Sequence, residues 1–485
     1  MSKTTMRASL AAVGAVTVLA LVPGGAQAAF DTNHDTQCEN ATSIQGRGAS
    51  FQRSAQLGWG AEILAPNPGG PNAVGFGYAT TANGGCAQFK LPADGGSQKV
   101  RYAPTGSGSG RAAFGATATA NQRDVNGTDG PFIFGGVDEA PSDAGSSNGG
   151  VQQLENANAG DTSTSTDNAT LHTIPIAQSS VAVDVRIPDG CEVVADPADR
   201  RITATKLERA FAAASSADTW GEILPSIAGS AGGLTTAQCQ AKPVVRVVRF
   251  DSSGTTFAFK RLLQKIATRD SSGTTWSEPT LGNTAWPSET AANLKRPTTN
   301  GAGAQLDLLA AQTDGGIAYA DLATSRTKLF GWDGTEGDQD RKLWLYVEQP
   351  GNPTPTFRSP AVDDDQAGTK GSNCGAVAYG DKGTTTLPTN TTKSWYDVDA
   401  TSTTVQYPGC ALTYGLAWQT PQPVNVGITD PAKRFTQDQA RAVKDYLAYV
   451  LNTAGGQSVL AANDYQALPT NVRTAAQTGV GTLNW

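Results

Sequence analysis

Histidine, cysteine and methionine are scarce in this chain, and charge is thin. Of 485 residues, two are His, six are Cys and two are Met, and charged side chains make up 16%. His34 and His172 stand in polar segments away from every motif considered below. A Ser-His-Asp triad or a histidine metal site has little to build on, and both histidines read as solvated surface side chains. No two cysteines are spaced CxxC, which argues against zinc knuckles and thioredoxin-like chemistry. A GxxxxGK(S/T) loop is also missing, so a Walker A nucleotide site is excluded. Beyond the N-terminal segment no run approaches 18 uncharged apolar residues, and no membrane-spanning helix is predicted.

The N-terminal segment is of another kind. Lys3 and Arg7 precede an uncharged, mostly apolar run at 8–22, and Ala26-Gln27-Ala28 is a small-x-small cleavage site. That pattern predicts a secretory signal peptide cleaved after Ala28. The first cysteine, Cys38, lies well past this point, so no lipid anchor is expected, and the mature chain is expected to be secreted or extracytoplasmic. Without Lys3 and Arg7 it carries 34 basic against 43 acidic side chains, a net charge of −9. Nucleic acid and anionic membranes are therefore poor partners. A chain of roughly 457 residues can bury two cores.

Six cysteines in an exported chain predict disulfides among Cys38, Cys86, Cys191, Cys239, Cys374 and Cys410. Fifteen connectivities are open. Sequential pairing is favoured, because gaps of 48, 48 and 36 residues each close a local excursion.

Apolar periodicity places helices at 257–268 (Phe259, Leu262, Leu263, Ile266), at 203–213 behind a Thr203 cap, and at 436–453 behind a Thr436 cap. The last shows Val443, Leu447, Val450 and Leu451 on one face and Gly455-Gly456 as its stop. Strands are predicted at 173–187, 243–250, 315–322 and 410–418. Alternating strands and helices give an α/β class. Long polar loops are expected at 65–97, 120–130, 139–170, 268–300 and 333–402.

The stretch RFDSSGTTFAFKRLLQKI (249–266) places an arginine, an aspartate and four hydroxyls between a strand and a helix. Two readings fit. Ser and Thr are ordinary N-caps, and Arg249 is a solvated strand end. Alternatively, the helix N-terminus offers free N–H groups to an anion, Ser253 and Thr255 add hydroxyls, and Gly254 lets the backbone approach. Arg249 then points into the same space, held by Asp251. Two stretches repeat the idea, GASFQRSAQL from 48 with Ser50 and Phe51, and TGSGSGRAAF from 105 with Ser107. Together they make a pocket rich in donors. In FIFGGVDEAPSD (132–143), Asp138 brings a carboxylate. That suits an anion which still carries a proton: sulfate, fully ionised, would leave the carboxylate unpaired and repelled, at a cost of several kcal/mol.

These stretches, in this order, resemble the phosphate-binding protein of phosphate ABC transporters. The matching pieces are GRGASF (46–51), GSGSG (106–110), FGGVDEAPS (134–142) and RFDSSGTTFAF (249–259). Weaker matches are IPIAQSSVAVDV (174–185), ITATKLERAFAAASSADTW (202–220), DGGIAYADLA (314–323) and ANDYQALPTNV (462–472), so the resemblance spans most of the mature chain. It implies a two-lobed type II periplasmic-binding-protein fold, with mixed sheets flanked by helices and a hinge of two crossing strands. Lobe I would hold 29–178 and 323–485, and lobe II 179–322.

Carried over residue by residue, the phosphate contacts fall on Ser50, Phe51 through its backbone N–H, Ser107, Asp138, Arg249, Ser253, Gly254 and Thr255. Asp251 falls on the aspartate that orients the arginine. Three features depart from the family pattern: Arg47 for an alanine, Gly-Gly after the phenylalanine of the third motif, which is expected to loosen that strand, and Glu139 for a small residue. Glu139 is expected to add negative charge near the pocket mouth. No catalysis, cofactor or metal is implied. The expected partners are inorganic phosphate, arsenate as its mimic, and an ABC permease, with the protein a monomer. The alternatives are a secreted phosphatase-like protein or a surface or matrix protein on the same fold. Other constellations read as bland: DTNHD (31–35) and the acidic sets Asp333/Glu336/Asp338/Asp340 and Asp363–Asp365 as solvated loops, with calcium the minor option, and the nine tryptophans as packing.

Overall fold

The computed structural model describes residues 44–63, 77–79, 88–90, 100–113, 132–141, 170–193, 197–212, 218–266, 284–287, 291–331, 341–350, 354–365, 368–375, 377–381, 386–392, 394–401, 406–421, 431 and 434–484. The signal peptide, His34, Cys38, Cys86, the DTNHD stretch and the acidic set at 333–340 lie outside them.

One ten-stranded mixed sheet organises the chain. Its strands are β1 (Ile44–Gly48), β2 (Glu62–Ile63), β3 (Val100–Pro104), β4 (Phe134–Val137), β5 (Leu171–Arg186), β6 (Val245–Val247), β7 (Leu294–Lys295), β8 (Gly316–Asp321), β9 (Lys342–Trp344) and β10 (Cys410–Trp418). The spatial order is β7-β6-β8-β5-β10-β4-β1-β3-β2, with β9 also on β5. The β2-β3-β1-β4 group is parallel, and so is β8-β6-β7. Between them run the antiparallel strands β10 and β5.

Strand β5 joins the two halves. Residues 171–180 pair with β10 and residues 181–186 with β8. Its near-continuous run of small and β-branched residues suits a strand covered on both faces, and all but its last residue are buried. The polar residues at its middle are bonded to distant backbone. Gln178 Nε2 donates to Ala467 O at 2.6 Å, Ser179 Oγ to Asp464 O at 2.9 Å and Ser180 Oγ to Pro360 O at 2.7 Å. The C-terminal segment thus ties down the crossover.

The helices used below are α1 (Arg53–Gly58), α2 (Ser107–Ala113), α3 (Ala204–Phe211), α4 (Gly254–Ile266), α5 (Ala302–Ala310), α6 (Leu322–Thr327), α7 (Gln437–Leu451) and α8 (Thr470–Thr482). Thr203 caps α3 and Thr436 caps α7, the latter in a capping box with Gln439. The apolar face of α7 is buried as its periodicity predicts, Val443, Leu447, Val450 and Leu451 all being at most 5% exposed. Burying each such side chain contributes roughly 1.5–3 kcal/mol.

Four expectations need correction. Helix α4 starts at Gly254 rather than 257, because Ser253 caps it: Ser253 Oγ accepts from Thr256 N at 3.3 Å. Helix α7 stops at Leu451, before the glycine pair, where the Asn452 side chain accepts from Ala454 N and Gly455 N. His172 is not solvated. It lies in β5, 2% exposed, with Nδ1 2.6 Å from Thr391 Oγ1, and burial lowers its pKa. The region 333–402 is not a plain polar loop. It contributes β9, short strands at Tyr346–Glu348 and Phe357–Arg358, and the fully buried Trp344 and Trp395. Within it, Asp363 and Asp364 are loop staples, accepting from Thr369 N at 3.1 Å and Trp344 Nε1 at 3.3 Å.

Two disulfides match the sequential pairing, Cys191–Cys239 and Cys374–Cys410. The second closes a 36-residue excursion against β10. Loop-closure entropy gives it about 3–4 kcal/mol. The double variant Cys374→Ala/Cys410→Ala is expected to lower the melting temperature by at least several degrees in calorimetry, and unchanged melting would show that the bridge contributes nothing.

Candidate functional site

The parallel groups fix where a site can form. In open α/β sheets, ligands sit beyond the carboxyl ends of the strands. Ser50 and Phe51 follow β1, Ser107 follows β3 and Asp138 follows β4. Arg249 and Asp251 follow β6, ahead of α4. The two parallel groups run in opposite directions, one on each half of β5. Four segments scattered over 200 residues therefore finish facing one another near the middle of that strand.

Close approach needs glycine at particular places. Gly48 has φ +149°, and a Cβ there would lie 1.9 Å from Gly136 O, so β1 and β4 close up only without a side chain. Gly136 of the third motif is confined as well: a Cβ there would lie 2.1 Å from the Tyr102 hydroxyl and 2.7 Å from Gln52 Oε1. Beyond Gly48, Ser50–Gln52 form a 3-10 turn whose three residues are buried. The Phe51 carbonyl accepts from the Tyr465 hydroxyl, and the two rings meet edge to face at 6.0 Å.

Ser107 is the junction. Its Oγ accepts from Asp138 N at 3.1 Å and from Gly254 N at 3.2 Å. One hydroxyl therefore bridges the third and fourth motifs. With both lone pairs taken, its proton is left to donate, and the nearest acceptor, Asp138 Oδ2, is 3.5 Å away.

Arg249 is 1% exposed. Its Nε donates to Asp251 Oδ1 at 2.7 Å and its Nη2 to Asp251 Oδ2, a bidentate pair. Asp251 Oδ1 also accepts from Gly301 N, at the start of α5. Arg249 Nη1 is buried and has no hydrogen-bond partner among the described residues. Thr255 Oγ1, in the first turn of α4, is likewise buried and unpartnered. Buried polar groups are rarely left unpaired, so two at one place are informative.

Burial raises the Asp138 carboxyl to about 7, and the nearby Asp321 pushes the same way, against the Thr413 hydrogen bond, the Arg249 charge and Ser107. Burial also raises Asp321 to about 6, although that carboxylate caps α6 by accepting from Thr324 N at 2.9 Å. Asp138 further lines a cavity of about 30 Å³ with Phe257, Arg261, Tyr379, Trp395 and Tyr414, room for about two waters.

Of the predicted site residues, Ser107, Asp138 and Gly254 are joined by hydrogen bonds, Arg249 and Asp251 form an ion pair, and the Arg249 charge acts on Asp138. Glu139 needs correction. It is fully buried, its Oε2 2.6 Å from Arg111 Nη2, and the same nitrogen reaches the Glu139 carbonyl at 2.7 Å. Its charge is neutralised inside the fold and does not sit at a pocket mouth. Sequence reasoning missed Thr413, which donates to Asp138 Oδ1 at 2.7 Å. A signal was present, since Thr413 is the one aliphatic hydroxyl within the apolar strand CALTYGLAW. It also missed Asp321, and Tyr319, whose hydroxyl lies 2.8 Å from Thr256 Oγ1 and 3.5 Å from Arg249 N. Among the described residues no group of three His, Cys, Asp or Glu could hold a metal ion, and no helix is long and apolar enough to cross a membrane.

The arrangement defines a class: the mixed α/β, two-lobed fold of type II periplasmic binding proteins. Solved structures similar to this chain include phosphate-binding proteins. PfluDING, a high-affinity periplasmic phosphate-binding protein solved with phosphate, is 17% identical, with a TM-score of 0.51 and 90% of this chain and 93% of that chain covered. The phosphate-binding protein from Stenotrophomonas maltophilia is 16% identical, with a TM-score of 0.51 and the same 90% and 93% covered. An ancestral soluble variant of the human phosphate-binding protein is 18% identical, with a TM-score of 0.51, again over 90% and 93%. At these identities the likeness is one of fold. Neither a scan against protein-family models nor a search of curated proteins found a match.

Proposed function

We propose that this chain is an extracytoplasmic solute-binding protein that captures inorganic phosphate between two lobes, for uptake through an ABC transporter. The lobes divide at β5 and again near residue 322, and closing them shuts the site from water. Export follows from the signal peptide, with cleavage after Ala28, and the protein acts as a monomer.

The observation that carries this reading is the pair of buried, unpartnered donors, Arg249 Nη1 and Thr255 Oγ1, beside the N-terminus of α4. A site of this kind has donors in excess of acceptors, and a tetrahedral oxyanion supplies the missing acceptors. The Ser107 proton adds a third donor, and Ser50, the Phe51 N–H and Ser253 complete the proposed shell, with the Gly254 N–H joining it when it leaves Ser107 Oγ for the anion. Asp251 holds the guanidinium in place. Asp138 is the lone acceptor, which suits an anion carrying a proton. The fold's solved relatives are phosphate-binding proteins, which supports the same choice.

Isothermal titration with phosphate, arsenate and sulfate tests this. Wild type is expected to bind phosphate tightly, arsenate similarly and sulfate at least about 100-fold more weakly, the size of a repelled, unpaired carboxylate. Asp138→Asn should narrow the gap between phosphate and sulfate. Equal affinity for sulfate would remove the role given to Asp138, and no binding of any of the three would end the proposal.

A further inference from the structure

Asp138 has two oxygens, and the hydrogen bonds around it give them different tasks. The Tyr414 carbonyl can only accept. Gln52 Nε2 lies 2.8 Å from it, which fixes the orientation of that amide. The same NH₂ group donates to Thr413 Oγ1 at 2.7 Å. The Thr413 hydroxyl, accepting from one side, must turn its own proton elsewhere. Asp138 Oδ1 stands at 2.7 Å and the Val137 carbonyl at 3.3 Å, and the shorter, charge-assisted contact wins. Asp138 Oδ1 is therefore an acceptor and cannot carry the carboxyl proton. Among the described residues Oδ2 has only Ser107 Oγ, at 3.5 Å.

The series extends behind Gln52. Gln56 Nε2 donates to Gln52 Oε1 at 3.4 Å, and the Tyr446 hydroxyl donates to Gln56 Oε1 at 2.5 Å. Gln52, Gln56, Thr413 and Tyr446 are all at most 1% exposed. Every donor in the series points toward Asp138. The register of β10 against β5 also shifts between Thr413 and Tyr414. Such bulges re-aim a side chain and recur next to functional sites.

We infer that Thr413 is a positioning residue: it commits Oδ1 of Asp138 to the protein and reserves Oδ2 for the proton of the bound anion. This rests on the phosphate reading above. Without the hydroxyl, either oxygen can meet the ligand proton, and the ionised carboxylate loses a hydrogen bond. The other charged or titratable groups that act on Asp138 are Arg249, Asp321, Tyr102, Tyr414 and Tyr465. None of them changes when Thr413 is replaced, so a moved titration reports the hydroxyl.

The test uses Thr413→Val, Thr413→Ala and Thr413→Ser. Phosphate affinity is measured by calorimetry from pH 6 to 9. The Asp138 carboxyl is followed by carbon-13 NMR in the unliganded protein, its resonance assigned by its loss in Asp138→Asn. Val and Ala are expected to weaken phosphate about tenfold or more at pH 8, the loss of one hydrogen bond to a charged group. They should also move the Asp138 midpoint upward, because the lost bond favoured the ionised form. Ser should keep both near wild type. A folded Val or Ala variant with wild-type affinity and titration overturns the inference. So does a Ser variant as impaired as Val, or a failure of Val and Ala to fold while Ser folds, since each leaves only a structural role. If wild type takes up no phosphate but the carboxyl titration shifts as stated, the phosphate reading falls and the assignment of the two oxygens stands.

Discussion

Arg249→Ala is expected to lose phosphate binding by at least about 1,000-fold in calorimetry. The side chain spends two of its hydrogen-bonding nitrogens on Asp251 and leaves the third, Nη1, buried and unpaired. An oxyanion at Nη1 would receive a charge-assisted bond in a site shielded from solvent, and truncation removes the bond together with the cation. A second effect accompanies the first. Truncation strands Asp251, whose side chain is 6% exposed, without its cation. Breaking a buried pair in this way costs about 3–5 kcal/mol of stability. The two effects separate in the double variant Arg249→Ala/Asp251→Ala, because removing both partners of a buried pair is often close to neutral. Stability should recover and binding should not. Arg249→Lys should fall between, since a single ammonium cannot hold Asp251 in a fork and reach the anion as well. If the double variant binds phosphate like wild type, Arg249 is a structural ion pair and no more.

How far these residues were legible depends on how local their signals are. The strand-to-helix turn at 249–255 announced itself, because its cap, glycine and helix follow one another within a few residues, and α4 does begin there. The β5 and β10 strands were legible for the same reason, as uninterrupted apolar runs. What stayed hidden lies in tertiary contacts. Thr413 reaches Asp138 across 275 residues, and nothing near position 413 names its partner. Glu139 read as a surface charge because its neutralising partner, Arg111, comes from the first turns after a different strand. His172 read as solvated because the polar run DTSTSTDNAT at 161–170 comes just before it, whereas β5 carries it inside to meet Thr391, 219 residues away. In each case a polar residue was judged by its neighbours in sequence, and its environment was set by a distant segment.

The region 341–401 shows the same limit on a larger scale. Its composition is that of a loop, rich in Gly, Thr, Pro and Asp. It nonetheless supplies a strand to β5, buries Trp344 and Trp395, and builds part of the wall beside Asp138. Short strands separated by turns carry too little periodicity to be read singly. Their hydrophobic residues count only once a preformed sheet offers a face to cover.

Gly254→Ala is expected to cut phosphate affinity by about 10- to 100-fold while leaving the unliganded protein folded. A Cβ on Gly254 would lie 2.6 Å from Asp138 Cβ, 2.6 Å from Ser107 Oγ and 2.8 Å from Glu139 N. The first and last belong to a β-carbon and a backbone nitrogen, which cannot swing aside. Accommodation therefore requires the α4 N-terminus to move away from the turn after β4, at an overpacking cost of about 1–3 kcal/mol. That movement also pulls Gly254 N off Ser107 Oγ, the bond that joins the two motifs. If the anion is held where these segments meet, the cost appears mainly in binding, because the open, empty protein is free to relieve it. Thermal shift reads this directly, since a ligand of the folded state raises the melting temperature in proportion to its occupancy. Wild type should gain stability with added phosphate and Gly254→Ala should gain little. Gly481→Ala is the control: it lies in α8 with nothing within 4 Å of the added carbon. It should raise the melting temperature slightly, by the helix propensity of alanine over glycine, and leave the phosphate response unchanged. A Gly254→Ala protein with the full wild-type response would mean that phosphate does not need α4 and Asp138 in contact, and the proposed site would not be the one that binds.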